Sequence, residues 1–269
     1  MKPSLRSVLD AAERRGKLNL RTEEIAASLP GVSPEALRQA LQRQKRSGRL
    51  VRASRGSQHW VIVPIQDALD GAPPVETWLD NYMAKSLGIP YYVGMLSAAA
   101  AYGVSPQAIM VTQVVVPKAR RPLKIGQHEL HFFEQCRVDE MPLNWHKSSD
   151  GRYRISSPEL TAVDIVARHA QLGGIARALE VVQGLTPHMT PDGLKTALSA
   201  AHEVPTAQRL GTLLSMADAS ALAEVVKAWL ADKRTRRIPL ELGKEQPQDV
   251  TRFSEFKVVI PLTFTPANT

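Results

Sequence analysis

Glutamine and arginine side chains that recur on one side of a single predicted helix are the residues in this sequence best suited to chemistry. At about 100° per residue, Gln39, Gln42 and Arg46 fall opposite the apolar side that contains Leu37 and Leu41. Glutamine pairs with the edge of adenine, and arginine pairs with the edge of guanine, in the major groove of DNA. The spacing therefore predicts that these three polar residues contact bases.

Cationic side chains flank this polar side and suit phosphate contacts. Three belong to the same helix and two to the hairpin that follows it: Arg38, Arg43, Lys45, Arg52 and Arg55. No Asp or Glu occurs between Gln39 and Gln66, whereas a helix that is merely solvated mixes charges of both signs. The pattern favours binding of double-stranded DNA over a solvated face or a protein-contact use of the same fold.

The helices that must position these residues have clear start and stop signals. Ser33 is a strong N-cap, Pro34 suits the first turn, and Gly48 ends the helix that carries the glutamines. A shorter helix precedes it, with Thr22 as its predicted cap. Two short helices joined by a tight turn have the dimensions of a helix-turn-helix.

A hairpin is predicted directly after the helices, with its tip at 55–57. In its second strand Trp60 and Ile62 alternate with Val61 and Val63, as residues on the two faces of a strand do. The hairpin makes the motif winged. The first 63 residues are therefore predicted to be a winged helix-turn-helix DNA-binding domain.

All of the formal charge falls in the same segment. Residues 1–63 hold thirteen Lys and Arg against five Asp and Glu, a net of +8, and leave twenty-one residues of each sign for the rest of the chain. One cationic module on a neutral body is expected to bind a polyanion. Aromatic residues make up only 5% of the chain, which disfavours a surface that stacks many unpaired bases.

A second basic cluster follows a strand predicted at 113–116. Its members are Lys118, Arg120, Arg121 and Lys124. They are candidate auxiliary contacts to nucleic acid, because they could extend a DNA track or face RNA, and a solvated loop explains the cluster equally well.

Two motifs contain residue types used in metal binding or catalysis. In HELH, His128 and His131 point to opposite faces of a predicted strand and lack the HExxH spacing of a zinc site. Glu255 and Lys257 have the spacing of the carboxylate and lysine on one strand face of metal-dependent nucleases, but no aspartate is placed to complete that set. We therefore expect no enzyme activity, catalytic residue, cofactor or metal, and keep a nuclease as an alternative.

The rest of the chain is predicted to be a mixed domain, so that the fold class is α+β. Prolines and glycine at 64–76 predict a linker, and 77–269 is predicted to be the C-terminal domain. Within it we expect an α/β part at 77–156, a helical part at 157–232 and a strand-containing tail at 238–269. Charges interrupt every apolar stretch near the amino terminus, unlike a signal peptide, which predicts a cytoplasmic protein without a membrane partner.

Three strings in the C-terminal domain resemble a known family. They are YYVGMLSAAAAYG from residue 91, QVVVPKARRPLKIG from residue 113 and RISSPELTAVDIVARHAQLGGIARALEVV from residue 154. In this order, behind a winged helix-turn-helix, they resemble the AbiEi antitoxins of abortive-infection type IV toxin-antitoxin systems over about residues 1–235.

The resemblance implies a bacterial phage-defence antitoxin with two roles. The N-terminal domain would repress its own operon by binding inverted repeats in the promoter. The C-terminal domain would neutralise a nucleotidyltransferase-like toxin encoded next to it, without requiring a stable complex. From the residues alone, a stand-alone interaction protein that binds nucleic acid or protein also remains open, as does the nuclease.

Overall fold

The computed structural model describes residues 3–54, 56–104, 111–147, 151–241, 251–261 and 264. Over these residues the protein is a mixed α and β structure. It divides into two compact units: unit 1 is Met1–Tyr92, Met110–Val138 and Trp145–Arg154, and unit 2 is Val93–Ile109, Asp139–Asn144 and Ile155–Thr269. Both ends of the predicted linker fall inside unit 1, and the predicted division into domains stays a prediction.

The amino-terminal part of unit 1 contains three helices and three strands. In chain order they are α1 (Leu5–Glu13), β1 (Asn19–Arg21), α2 (Thr22–Ala27), α3 (Pro34–Arg46), β2 (Leu50–Arg52) and β3 (His59–Ile62). The strands form an antiparallel sheet in the order β1-β3-β2. Leu9, Ile25, Leu41 and Trp60, from the three helices and the hairpin, are buried in one apolar core. Helices and hairpin therefore depend on each other for burial of their apolar sides.

The third helix begins and ends where the sequence predicts. The Ser33 hydroxyl accepts a hydrogen bond from the backbone N–H of Ala36 at 3.2 Å. Gly48 follows the last turn with φ of +75°, a conformation that glycine adopts without steric cost. Leu37 and Leu41 are buried, so the predicted packed side is confirmed.

Thr22 does not cap α2 as predicted. The N-cap is Arg21, whose backbone N–H donates to Glu24 Oε2 at 2.9 Å. The Thr22 hydroxyl instead accepts a hydrogen bond from Trp60 Nε1 at 3.0 Å and donates to the Gln58 carbonyl at 3.2 Å. The prediction was wrong because the hairpin, which is distant in sequence, offers this hydroxyl two partners.

The central strand β3 is buried on both faces. Trp60 and Ile62 pack in the helical core, and His59 and Val61 on the other face are equally buried. The ring of His59 contacts the ring of Tyr82, with their centroids 5.2 Å apart. A later segment of unit 1, residues 64–86, therefore covers the second face of β3.

The covering segment, residues 64–86, is folded mainly as short turns. Short 3-10 turns span Ile65–Asp67 and Val75–Thr77, and a π-helical turn spans Asn81–Ser86. Trp78 is fully buried, and the Asp70 carbonyl accepts a hydrogen bond from the backbone N–H of Gln127 at 2.7 Å. The proline-rich stretch is thus an ordered part of unit 1.

A six-stranded sheet lies in the middle of the chain. Its strands and the helix among them are β4 (Tyr92–Val93), α4 (Met95–Ala101), β5 (Val111–Val116), β6 (Leu123–Ile125), β7 (His128–Glu134), β8 (Leu143–Lys147) and β9 (Arg152–Ser156). The strand order is β6-β7-β5-β4-β9-β8. β7 runs parallel to β5 and antiparallel to β6. The strand predicted at 113–116 is confirmed within β5.

Unit 2 is mainly helical. Its later helices are α5 (Pro158–Ala167), α6 (Gly174–Leu185), α7 (Pro191–Ala201), α8 (Val204–Met216) and α9 (Ser220–Leu230). Every residue of α5 from Pro158 to Val166 is buried, which makes it the central helix of this unit. Three short strands, β10 (Ile238–Pro239), β11 (Thr251–Phe253) and β12 (Val258–Pro261), form a sheet in the order β10-β12-β11. None of the helices in the described ranges combines the length and the hydropathy needed to cross a bilayer.

Candidate nucleic-acid interface

The exposed side of α3 carries cations without acidic partners. Gln39, Gln42, Arg43, Lys45 and Arg46 all have exposed side chains. Across the described residues, no carboxylate forms an ion pair with any of these three cations. The side of the helix predicted to contact bases and phosphates is therefore an accessible surface with uncompensated positive charge.

All five acidic side chains of the first 63 residues form ion pairs elsewhere. Asp10 and Glu13 of α1 both bind Arg49, which also donates to the Val63 carbonyl at 2.9 Å. The hydrogen bond with Glu13 raises the pKa of Arg49. The other pairs are Lys17–Glu24, Arg21–Glu23 and Arg38–Glu35. Each of these carboxylates thus already has a cationic partner, and the sequence pattern did not predict the double pair of Arg49.

Arg38 and Arg52 are placed differently from the other cations assigned to phosphate contacts. Arg38 is exposed and pairs with Glu35 on its own helix. Arg52 is half-buried, with its guanidinium carbon 4.5 Å from the centroid of the Trp60 ring. Arg52 is therefore held against an indole rather than extended into solvent. Arg55, predicted at the hairpin tip, lies outside the described residues.

The second basic cluster lies beside the hairpin in unit 1. Its four side chains are exposed: Lys118, Arg120, Arg121 and Lys124. Arg120 and Arg121 line a cleft of about 410 Å³ together with Ser54, at the end of the hairpin's first arm, and Phe132 of β7. The guanidinium carbon of Arg120 lies 5.9 Å from the centroid of the Phe132 ring. The fold thus brings the basic cluster next to Ser54 of the hairpin, which is distant from it in sequence.

A third basic feature of unit 1 was not predicted from the sequence. Trp145 of β8 is 46% exposed, and the guanidinium carbons of Arg152 and Arg154 on β9 lie 4.9 Å and 5.6 Å from its ring centroid. The sequence signal for this cluster was the alternation of Arg152 and Arg154 on one strand, with Trp145 among polar residues on the strand before it. Alternate residues of paired strands share a face, so these three side chains could have been predicted to lie together.

His59 connects the sheet of the amino-terminal part to the covering segment. Its Nε2 lies 3.0 Å from Asn19 Oδ1, and its Nδ1 lies 2.6 Å from Ser86 Oγ. Asn19 Nδ2 donates to the Thr77 carbonyl at 2.7 Å, so Asn19 Oδ1 must accept from His59 Nε2–H. Burial lowers the pKa of His59 to about 4, and the neutral ring therefore satisfies both of its nitrogens.

The histidines of the HELH motif are engaged in structural contacts. His128 Nε2 lies 3.2 Å from the Ala72 carbonyl, and His131 Nε2 lies 2.7 Å from Glu129 Oε1. Within the ranges that the structure describes, no group of three His, Cys, Asp or Glu residues is arranged to hold a metal ion.

The strand-face geometry considered for a nuclease is wrong. Glu255 and Lys257 lie in the turn before β12 rather than on a strand, and Lys257 has a φ of +59°. Glu255 forms an ion pair with Lys227 of α9 at 3.0 Å, and Lys257 Nζ donates to Thr235 Oγ1 at 2.8 Å. The turn thus separates the two side chains, and each contacts a different part of unit 2.

Comparisons with known proteins give a family for the middle of the chain and a shared fold. Residues 92–216 match the family described as AbiEi antitoxin C-terminal domain. The crystal structure of the RV2827C protein from Mycobacterium tuberculosis is similar over 97% of this chain and 93% of that chain, with a TM-score of 0.68 at 17% sequence identity. At this identity the likeness shows a shared fold. No curated protein matches the sequence significantly.

Proposed function

Residues 92–216 match the family described as AbiEi antitoxin C-terminal domain, and on this premise we propose that the protein is a DNA-binding antitoxin. In this proposal residues 1–63 act as a winged helix-turn-helix that represses the protein's own operon, and the C-terminal domain neutralises a toxin. The toxin is a nucleotidyltransferase-like protein encoded nearby, and the site of action is the cytoplasm. The family concerned is not an enzyme family, in keeping with an antitoxin that binds rather than catalyses.

The observation that carries the DNA-binding proposal is the distribution of ion pairs around α3. Every acidic side chain of the first 63 residues already forms an ion pair with another cation, whereas Arg43, Lys45 and Arg46 have no acidic partner in the described part of the chain. A solvated surface helix normally carries charges of both signs at i,i+4. A helix whose exposed side is glutamine and unpaired cation suits the major groove and its phosphates.

We assign base contacts to Gln39, Gln42 and Arg46, which are exposed on the side opposite Leu37 and Leu41. Phosphate contacts are assigned to the flanking cations, which are Arg38, Arg43, Lys45, Arg52 and Arg55. Among these, Arg43 and Lys45 have the most accessible side chains with no competing partner. A bidentate base contact contributes about 1–3 kcal/mol of discrimination against a wrong base.

The second basic cluster supports a longer contact with the duplex. Arg120 and Arg121 share a cleft with Ser54, which immediately precedes the hairpin tip. A phosphate bound beside Ser54 would therefore meet the cations Arg120 and Arg121. We propose that the cluster of Lys118, Arg120, Arg121 and Lys124 extends the contact along the DNA backbone.

Measurement of operator binding by the full-length protein tests this proposal. The DNA is the protein's own promoter fragment, labelled for fluorescence anisotropy, and a scrambled fragment of the same length is the comparison. A triple variant replaces Arg43, Lys45 and Arg46 with glutamine. The matched control replaces Arg6, Arg14 and Arg15 with glutamine, which removes the same charge from exposed positions on α1 and directly after it.

The α3 variant is expected to lose about 100-fold or more in operator affinity, whereas the α1 variant should change by only a few-fold. Equal losses in the two variants would mean that net charge, not the surface of α3, drives binding, and the proposal would fail. Co-expression with the neighbouring toxin gene gives a separate readout. The α3 variant should still restore growth, because neutralisation is assigned to the C-terminal domain.

A further inference from the structure

A cavity of about 350 Å³ lies between α2, α3 and the hairpin, beside the proposed DNA-contacting side of α3. Apolar side chains form much of its wall: Ala26, Val32, Leu37 and Trp60. Two arginines, Arg38 and Arg52, also line it. Small-molecule sites have this size and this combination of an apolar wall with a few polar groups.

Arg52 has the features of a side chain that binds an anion. Its Nε is buried, and none of the described residues accepts a hydrogen bond from it. Its guanidinium plane is supported by the Trp60 ring 4.5 Å away, which fixes its position. A buried donor without a partner is costly, and a bound carboxylate or phosphate would supply the missing acceptor.

The other charged groups of the cavity leave room for an anion. Arg38 is held only by Glu35, in a pair in which both side chains are 66% exposed. Such exposed pairs are weak and readily exchange partners. Glu23 also lines the cavity, but it pairs with Arg21 at 3.2 Å. The net charge that faces the cavity therefore favours an anion.

The apolar wall favours a ligand with a hydrophobic body. Val32 is 43% exposed, and it is one of a small number of large apolar side chains exposed in the described ranges. Together with the exposed Ala26 it offers the surface on which an aromatic or aliphatic group would be buried. We propose that the cavity binds a small organic anion, with its acidic group on Arg52 and Arg38 and its apolar body against Val32 and Ala26.

This ligand would regulate operator binding. The regulatory step rests on the proposed function. The anion neutralises Arg38 and Arg52, two of the cations assigned to phosphates, and it bridges α3 to the hairpin. Ligand binding therefore lowers operator affinity. By linkage, operator DNA lowers the affinity for the ligand by the same factor.

Calorimetric titration of the full-length protein, without DNA, tests the site. The probe is 2-naphthoate. Comparison with its neutral isostere, 2-naphthamide, shows how much the negative charge contributes to the binding affinity. Arg52→Gln removes the charged group, and Ala26→Phe fills the cavity from an exposed helix position. Arg15→Gln, an exposed cation that does not line the cavity, is the matched control.

Wild type and Arg15→Gln are expected to bind 2-naphthoate equally. The amide, Arg52→Gln and Ala26→Phe should each weaken binding by about tenfold or more. Equal binding of the acid and the amide, unchanged binding by Arg52→Gln, or no binding of 2-naphthoate to wild type would overturn the site.

The regulatory step is tested separately by operator titrations with and without saturating 2-naphthoate. A several-fold loss of operator affinity in wild type, and none in Ala26→Phe, is expected. Naphthoate binding with unchanged operator affinity would refute the regulatory step. Naphthoate binding by a protein that fails to bind its operator at all would refute the proposed function and leave the anion site standing.

Discussion

Trp60 Nε1 donates a hydrogen bond to the Thr22 hydroxyl at 3.0 Å, which ties the hairpin to the first residue of α2. The indole is fully buried, so this donor has no access to water. The same indole supports Arg52 on its face. One tryptophan thus connects the helical core, the hairpin and a cation assigned to DNA contact.

Thr22→Val should lower the free energy of unfolding by about 1–3 kcal/mol, because the buried indole N–H loses its acceptor. Thr22→Ser keeps the hydroxyl and is the control. Urea denaturation followed by circular dichroism measures both variants. Equal stability of the valine and serine variants would show that the hydrogen bond contributes nothing.

The roles of Arg43 and Gln42 on α3 are separable by salt dependence. Arg43→Ala should weaken binding to all DNA sequences alike and reduce the slope of log affinity against log salt by about one unit. Gln42→Ala should leave the slope unchanged and cost about 1–3 kcal/mol of discrimination between the operator and a fragment with one base pair changed. If Arg43→Ala altered site preference at a constant slope, the assignment of these two roles would be incorrect.

Stability should fall as the pH is lowered from about 6.5 toward about 4, because His59 is neutral in the folded protein. Burial lowers the pKa of His59 to about 4 in the native state, while the unfolded chain has the ordinary value near 6.5. In this window the unfolded state binds the extra proton, so protonation favours unfolding, by up to about 3 kcal/mol.

The difference between wild type and His59→Gln isolates this effect from the other six histidines. Urea denaturation at several pH values should show a steeper loss of stability in wild type than in the variant between pH 6.5 and 4. Parallel pH profiles would contradict the assignment.

Gly126→Ala should destabilise unit 1 strongly. A Cβ on Gly126 would lie 2.2 Å from the Asp70 carbonyl oxygen, a backbone atom that cannot move aside. Gly88→Ala is the matched control, because Gly88 has nearly the same φ, +63° against +60°, with no atom within 4 Å of its Cβ position.

We expect the Gly126 variant to lose about 2 kcal/mol or more beyond the loss in the Gly88 variant, as measured by thermal and urea unfolding. Similar losses in the two variants would mean that the 64–76 stretch is not packed on the turn that contains Gly126.

The sequence by itself determined the local elements of the basic segment. Ser33, Pro34 and Gly48 fixed the bounds of α3, since capping and helix termination depend on neighbouring residues. The position of Leu37 and Leu41 fixed which side of the helix is buried, because the helical period sets that angle. The three strings of the C-terminal domain likewise predicted the family that residues 92–216 match.

Only the tertiary structure decided which partner each polar group takes. The Thr22 hydroxyl is occupied by Trp60 and Gln58, and the second face of β3 is covered by the segment that contains Tyr82. The approach of Arg120 to the hairpin was equally absent from the sequence pattern. Such contacts join residues that are distant along the chain, and the free energy of burial, which no local propensity encodes, selects among them.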